Sequence, residues 1–480
     1  MSGSRFWHDA HAPRRRGDCG GAGRAWRTAR LLGLTARTGC EAALIARRRH
    51  TGEQEATRFY QRAAERYAEL FADSKGVMMK IGQMLSLAAP GMSVAEELHP
   101  IYGQALSRLR SDAPPMPSEL AREALQRELG AVGAAFARFD WEPLAAASIG
   151  QVHAAQLHDG RAVAVKLQYP GAAAAVDADL KNTKLFATVV GLLASCLPEP
   201  RISFDLRGFA RELRARFDEE LDYRIELSNQ AEFADLYRGH PFVHVPEVVP
   251  ERSGVGVLCQ ELAEGLTWEQ ALGADQELRN RWGEAIWRFV YGSSARFGLL
   301  YSDPHPGNYL FHEDGSVTFL DFGCVKRFDE QCAKAMAMIG VPCVNGDAHG
   351  TWEACRDLGF VQPSAPVTPE QLHAYWLGAL EMYGSAQPFT VTPKRAAGWR
   401  EHRISPQGEQ MSALRHWTLP PDYAMLTRVE TMTHAVLGQL YASNDWRSIA
   451  GEYFDAAEPI TPMGKLDREF FGESDAAIQA

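Results

Sequence analysis

Residues 302–308 read Ser302-Asp303-Pro304-His305-Pro306-Gly307-Asn308, and residues 320–323 read Leu320-Asp321-Phe322-Gly323. Asp303 and Asn308 are five positions apart, and Asp321 lies thirteen further on. The interval 309–320 suits one hairpin, which would return the chain and bring the three side chains together. The Asn308 carboxamide oxygen and the Asp321 carboxylate are hard oxygen ligands of the kind Mg²⁺ takes. Asp303 would then orient or deprotonate an attacking hydroxyl or water. Taken singly, D-F-G is a turn and D-P-H-P-G-N a proline-rich loop. In this order and spacing they point to one site for phosphoryl chemistry, where charge on the phosphates must be neutralised.

Upstream lies Ala162-Val163-Ala164-Val165-Lys166. A lysine in an apolar strand is, by itself, more often a snorkelling edge residue. Ahead of the two acidic loops, Lys166 reads as the group that reaches the α- and β-phosphates of a nucleotide. It needs a carboxylate to hold it, and Glu219, Glu220, Asp222 and Glu226 are all candidates. Lysine strand, D-x-x-x-x-N and D-F-G in that order form the protein-kinase set, which implies ATP and Mg²⁺ as cofactors. Such a set normally has G-x-G-x-x-G before the lysine. Here the place holds Ala145-Ala146-Ala147-Ser148-Ile149-Gly150-Gln151-Val152-His153. Alanine resists positive φ and leaves less room beside the backbone, so the turn should be stiffer and cradle nucleotide differently. The blander reading is a helix–strand linker. Glu261, in Gln260-Glu261-Leu262, falls where backbone would meet an adenine. Lys80-Ile81-Gly82-Gln83, taken alone, reads as a solvated helix face with a small packing residue.

The pattern along the chain predicts an α+β, two-lobed, kinase-like fold with a small strand-rich lobe, a larger helical lobe and a helical extension in front. Spacings of three and four predict helices over 53–89 and 96–109. Pro114, Pro115 and Pro117 follow, and Ser118 reads as the capped start of a helix through 129. Strands are expected over 152–157 and 162–167, joined by His158-Asp159-Gly160-Arg161, and over 243–249 and 256–262. Pro246 would confine the third of these to a sheet edge. Helices are expected over 174–194 and 204–237 and through most of the chain beyond Trp268. The resulting divisions are a basic, partly disordered or amphipathic segment 1–50, the extension 51–136, the small lobe 137–263, the large lobe 264–456 and a tail 457–480.

Composition sets outer bounds. The chain of 480 residues is 46% hydrophobic and 23% charged, ordinary for a globular protein with a sizeable core. A net charge of −10 argues against nucleic acid as the partner. Residues 1–50 hold eleven arginines and only three acids, Asp9, Asp18 and Glu41. That basic arm could touch anionic lipid or polyphosphate. Eight cysteines without C-x-x-C spacing read as free thiols in a reducing compartment. No apolar run reaches the ~18 residues that span a membrane. The expectation is a cytoplasmic protein without a transmembrane helix, with any membrane contact peripheral, at the inner membrane, through the basic arm or an amphipathic helix.

Together the K-x-G-Q helix, the A-A-A-S-I-G-Q-V-H loop, the V-A-V-K strand, Glu220-Leu221-Asp222-Tyr223-Arg224-Ile225-Glu226, D-P-H-P-G-N and D-F-G resemble the UbiB-like, aarF-domain family of atypical kinases. The motifs run from Lys80 to Gly323. The resemblance implies that Glu226 partners Lys166. It implies that Lys80 and Gln83 lie across the active site, with Lys80 paired to Glu220 or Asp222, where a protein substrate would otherwise dock. Ala145, Ala146, Ala147 and Ser148 would favour an autoinhibited, ATPase-like site over phosphorylation of proteins. The family's link to ubiquinone-type quinone or isoprenoid-lipid metabolism implies a lipid or quinone-precursor ligand. Tyr301 stands where relatives often have histidine.

Overall fold

The structure, a computed structural model, describes residues 116–147, 149–172, 219–362, 365–404 and 421–472. The readings made on 1–115, including Lys80, Gln83 and the basic arm, on 174–194, on 204–218 and on Ser148 lie outside the described residues. The fold is α+β and two-lobed, as the sequence predicts.

The smaller lobe starts with helix α1, Ser118–Leu129. Pro117 stands at its N-cap with no side-chain cap, so Ser118 is the first helical residue rather than the cap expected. Strands β1 (Arg138–Ala146), β2 (Gly150–Gln156) and β3 (Ala162–Gln168) follow. Helix α2 (Tyr223–Leu236) leads into β4 (Val243–His244) and β5 (Val257–Glu261). The main sheet is antiparallel in the order β1-β2-β3-β5. Alternation along β3 decides what faces the cleft. Val163, Val165 and Leu167 bury one face against Ala121 and Leu125 of α1, while Lys166 belongs to the other. Burying a valine or leucine contributes about 1.5–3 kcal/mol, so this packing fixes the register that aims Lys166.

Two expected elements differ. The helix expected over 204–237 restarts at Tyr223, because the Asp222 carboxylate caps it by accepting from the Arg224 amide. The strand expected over 243–249 shrinks to Val243–His244 and joins another sheet, parallel to β8 (Val317–Phe319). Pro246 has no N–H to continue it, and β4 does lie at an edge. β1 went unrecognised in the sequence because Pro143 interrupts it; the register shifts on both sides of Pro143.

The larger lobe is helical around a core that includes Trp282, Trp287, Phe289 and Trp446. Its helices include α3 (Gln276–Trp287), α4 (Glu330–Val344), α5 (Pro421–Leu440), α6 (Trp446–Phe454) and α7 (Pro462–Phe471). No helix among the described residues is long and apolar enough to cross a membrane. α7, in the stretch read as a tail, packs inward. Asp467 is 2% exposed and accepts from Arg296 Nη2 and Tyr453 Oη, each at 2.6 Å. His240 Nδ1 accepts from the Val243 amide, so its Nε2 carries the proton given to Asp467 at 3.0 Å.

Burial alone would raise the Asp467 carboxyl, but the His240 hydrogen bond and the charges of Arg296 and Arg288 hold it well below the usual range. A depressed carboxyl adds stability that is present above its unfolded value near 3.8 and is lost as pH falls through the folded value. Asp467→Asn should therefore cost about 3–5 kcal/mol at pH 7, the cost of breaking a buried pair, and progressively less below pH 4. Urea unfolding of both proteins at pH 7 and pH 3.5 checks this; an equal loss at both would contradict it.

Candidate active site

The acidic loops meet because of hairpin register. β7 (Tyr309–Phe311) pairs antiparallel with β8, Tyr309 opposite Phe319. Asn308 thus sits across from Leu320, whose amide donates to the Asn308 carbonyl at 2.8 Å, and Asp321 follows directly. The other side is closed by β6 (Leu299–Tyr301) against β9 (Val325–Arg327), and by the Ser302 amide donating to the Cys324 carbonyl. Tyr301 is fully buried and donates through its hydroxyl to the Leu320 carbonyl at 2.6 Å. This tyrosine braces the residue before Asp321.

Phe322 sets the direction of Asp321. Its ring is buried 5.1 Å from Phe233 of α2 and 5.4 Å from Tyr301, and its carbonyl accepts from Asn229 Nδ2 at 2.9 Å. With Phe322 locked under α2, Asp321 takes φ 61, the left-handed region uncommon for residues with a Cβ. Strain of this kind persists only where the surroundings over-determine it, and it clusters at functional sites. Gly323 permits it: a Cβ there would stand 3.2 Å from Asp321 Oδ1, to which the Gly323 amide donates.

From the sheet side, Lys166 Nζ donates to both carboxylate oxygens of Glu226 at 2.8 Å and to Asp321 Oδ2 at 3.3 Å. The carboxylate choice that the residues alone left open falls on Glu226. It lies on the α2 face that also carries Tyr223, Gln230 and Phe233, all buried. Burial drives the Glu226 carboxyl up, to about 7, against the pull of the ammonium. Burial works the other way on Lys166, but Asp321 and Glu226 overcome it and hold the ammonium well above its ordinary value. Lys166 stays charged.

Asp303 is held from two sides. Asn308 Nδ2 donates to its carbonyl at 3.1 Å and to Oδ2 at 3.3 Å, and Arg428 Nη2 on α5 reaches Oδ1 at 3.3 Å. Arg428 is a site neighbour no sequence motif announced; the long separation along the chain and its place in a helix without a local signature hid it. Asn308, whose Nδ2 is turned to Asp303, and Asp321 offer a carboxamide oxygen and a carboxylate, hard donors of the kind Mg²⁺ takes.

The alanine stretch is partly strand. Ala145 and Ala146 end β1 opposite Val152 and Gln151, and Ala147 turns, its amide donating to the Gly150 carbonyl at 2.8 Å. Asp222 is engaged with Arg224 as well as capping α2, and Glu220 lies just ahead of it. Glu261 ends β5 with its amide given to the Glu247 carbonyl at 2.8 Å, so that N–H is not free for a base. A cavity of about 120 Å³ lies elsewhere, in the helical lobe beside Met336, Leu380, Leu426 and Phe454.

The chain matches the model of the ABC1 atypical kinase-like domain over residues 108–355, more than half its length. It is 30% identical over 369 residues to the mitochondrial atypical kinase COQ8B of Rattus norvegicus, covering 75% of this chain and 65% of that protein. Against the mitochondrial atypical kinase COQ8 of Saccharomyces cerevisiae it is 32% identical over 299 residues, 62% of this chain and 57% of the relative. The chain thus spans a little over half to just under two thirds of these relatives. Among solved structures it resembles the Rv3197–erythromycin complex from Mycobacterium tuberculosis, with TM-score 0.61 and 30% identity over 85% of this chain and all of that one. The motifs, the two-lobed fold and these matches agree: the chain belongs to the ABC1 atypical kinase-like family, the UbiB and aarF-domain group.

Proposed function

We propose that this protein binds ATP with Mg²⁺ and acts as an ATPase or as a phosphotransferase to a small molecule or lipid, in support of ubiquinone-type quinone or isoprenoid-lipid metabolism. The observation that carries the reading is the Lys166 ammonium, held at 2.8 Å by a buried carboxylate and at 3.3 Å by Asp321. A charge kept out of water this way has a cost that structure alone seldom justifies, and a phosphate anion in the cleft gives it a use. Lys166 would bind the α- and β-phosphates, Glu226 would keep it aimed, and Asp303 would orient the attacking oxygen. Asn308 and Asp321 would hold Mg²⁺, which supplies positive charge to the phosphate oxygens when bound. The turn closed by Ala147 and Gly150 and the implied Lys80 segment favour small acceptors over proteins. The likeness to the COQ8 proteins supports the metabolic setting, with a lipid or quinone-precursor ligand and peripheral membrane contact as part of the proposal.

The second reading is a nucleotide-binding pseudokinase scaffold that organises a lipid-biosynthesis complex. The presence of Lys166, Asp303 and Asp321 together favours the enzyme. Phosphate release from ATP with purified protein, with and without Mg²⁺, separates the two. The enzyme predicts slow Mg²⁺-dependent release; binding without release would leave the scaffold.

A further inference from the structure

Tyr223 opens the buried face of α2, one helical turn before Glu226. It is 2% exposed, and its hydroxyl has no hydrogen-bond partner among the described residues. Buried hydroxyls are nearly always paired, because an unmade bond leaves the full desolvation cost in place. A phenylalanine would fill the same space without that cost. The surroundings of the ring belong to the cleft. Lys166 Nζ lies 5.2 Å from its centroid. The hydroxyl also sits against the backbone of Gly150: a Cβ built there would stand 3.0 Å from it and 2.3 Å from the Leu167 carbonyl oxygen. The glycine therefore leaves the phenol room directly beside the turn that follows β1.

That turn explains why a donor is needed. In a glycine-rich loop, backbone N–H groups meet the phosphates. Here the Ala147 amide is given to the Gly150 carbonyl. Burial, the largest influence, pushes the Tyr223 phenol well above its ordinary range against the pull of Lys166, so it remains a donor.

We infer that the Tyr223 hydroxyl donates to a β- or γ-phosphate oxygen of the bound nucleotide, replacing a backbone donor that the alanine turn withholds. This rests on the nucleotide reading above and adds a ligand class: nucleoside di- and triphosphates in preference to monophosphates. Phosphates entering under the turn lift it from the hydroxyl and supply the missing acceptor.

The test is calorimetric titration of the full chain and of Tyr223→Phe with ATP, ADP and AMP in Mg²⁺, together with the Tm of each protein without nucleotide. ATP and ADP affinity should fall about tenfold, roughly 1.4 kcal/mol. AMP affinity should hold, and the nucleotide-free Tm should not fall. Unchanged ATP affinity in the variant overturns this inference alone. An equal loss for all three nucleotides with a lowered Tm does so too, since it assigns Tyr223 to packing. No nucleotide binding by the wild type overturns the nucleotide reading, and this inference with it.

Discussion

Asp321→Asn should lose about two orders of magnitude in Mg²⁺-dependent nucleotide affinity, roughly 2.8 kcal/mol at 1.4 kcal/mol per decade. The substitution suits the question because it changes charge and little else. Asp321 has φ 61, and asparagine is among the few residues that tolerate that region. Its carboxamide oxygen can still accept from the Gly323 amide. What disappears is the negative charge beside Lys166 and toward a divalent cation. The fold should survive, so unfolding in urea should change by under about 1 kcal/mol while metal-dependent binding collapses. Comparing nucleotide affinity with and without Mg²⁺ in both proteins reads the effect. Unchanged Mg²⁺ dependence in the variant would remove Asp321 from the metal site.

Lys166→Met should slow turnover by a factor on the order of 10²–10³, as for removal of an aimed electrostatic donor. It should also change how stability depends on pH. The Glu226 carboxyl stands near 7 with the ammonium beside it, against 4.5 unperturbed. A group raised on folding contributes stability that is complete below its unfolded value and is lost as pH rises through the folded one. In the wild type that loss ends near pH 7. In the variant no ammonium offsets burial, the folded value moves above 7, and the loss continues. The stability gap between the two proteins should thus stay constant up to about pH 7 and widen above it by up to about 1.4 kcal/mol per unit. Urea unfolding at pH 6, 7 and 8 measures it. A gap that does not grow above pH 7 would contradict the raised carboxyl.

What the sequence made legible follows from how local each signal is. The β2–β3 and β7–β8 hairpins were readable because alternation and a short turn specify them within a dozen residues, and they carry Lys166, Asn308 and Asp321 to the cleft. Glu226 was harder. Several nearby acids compete for the lysine, and the choice depends on a helix start that Asp222 sets by capping. β1 was hidden because Pro143 disguises a strand whose register shifts on both sides. Arg428 and Asp467 were hidden for another reason. Their roles arise from contacts across long stretches of chain, Arg428 with Asp303 and Asp467 with His240, Arg296 and Tyr453, and no local pattern encodes those. Tyr301 stood out only through the family resemblance, and its bond to the Leu320 carbonyl needed the fold.

The proposed Mg²⁺-nucleotide site unites Lys166, Asn308 and Asp321. Calorimetric titration of ATP into the full chain, once in Mg²⁺ and once in excess chelator, tests it most directly. Such a site predicts saturable binding of one ATP per chain in Mg²⁺, weakened at least tenfold in chelator. Binding of equal strength in both conditions, or none in either, would contradict it.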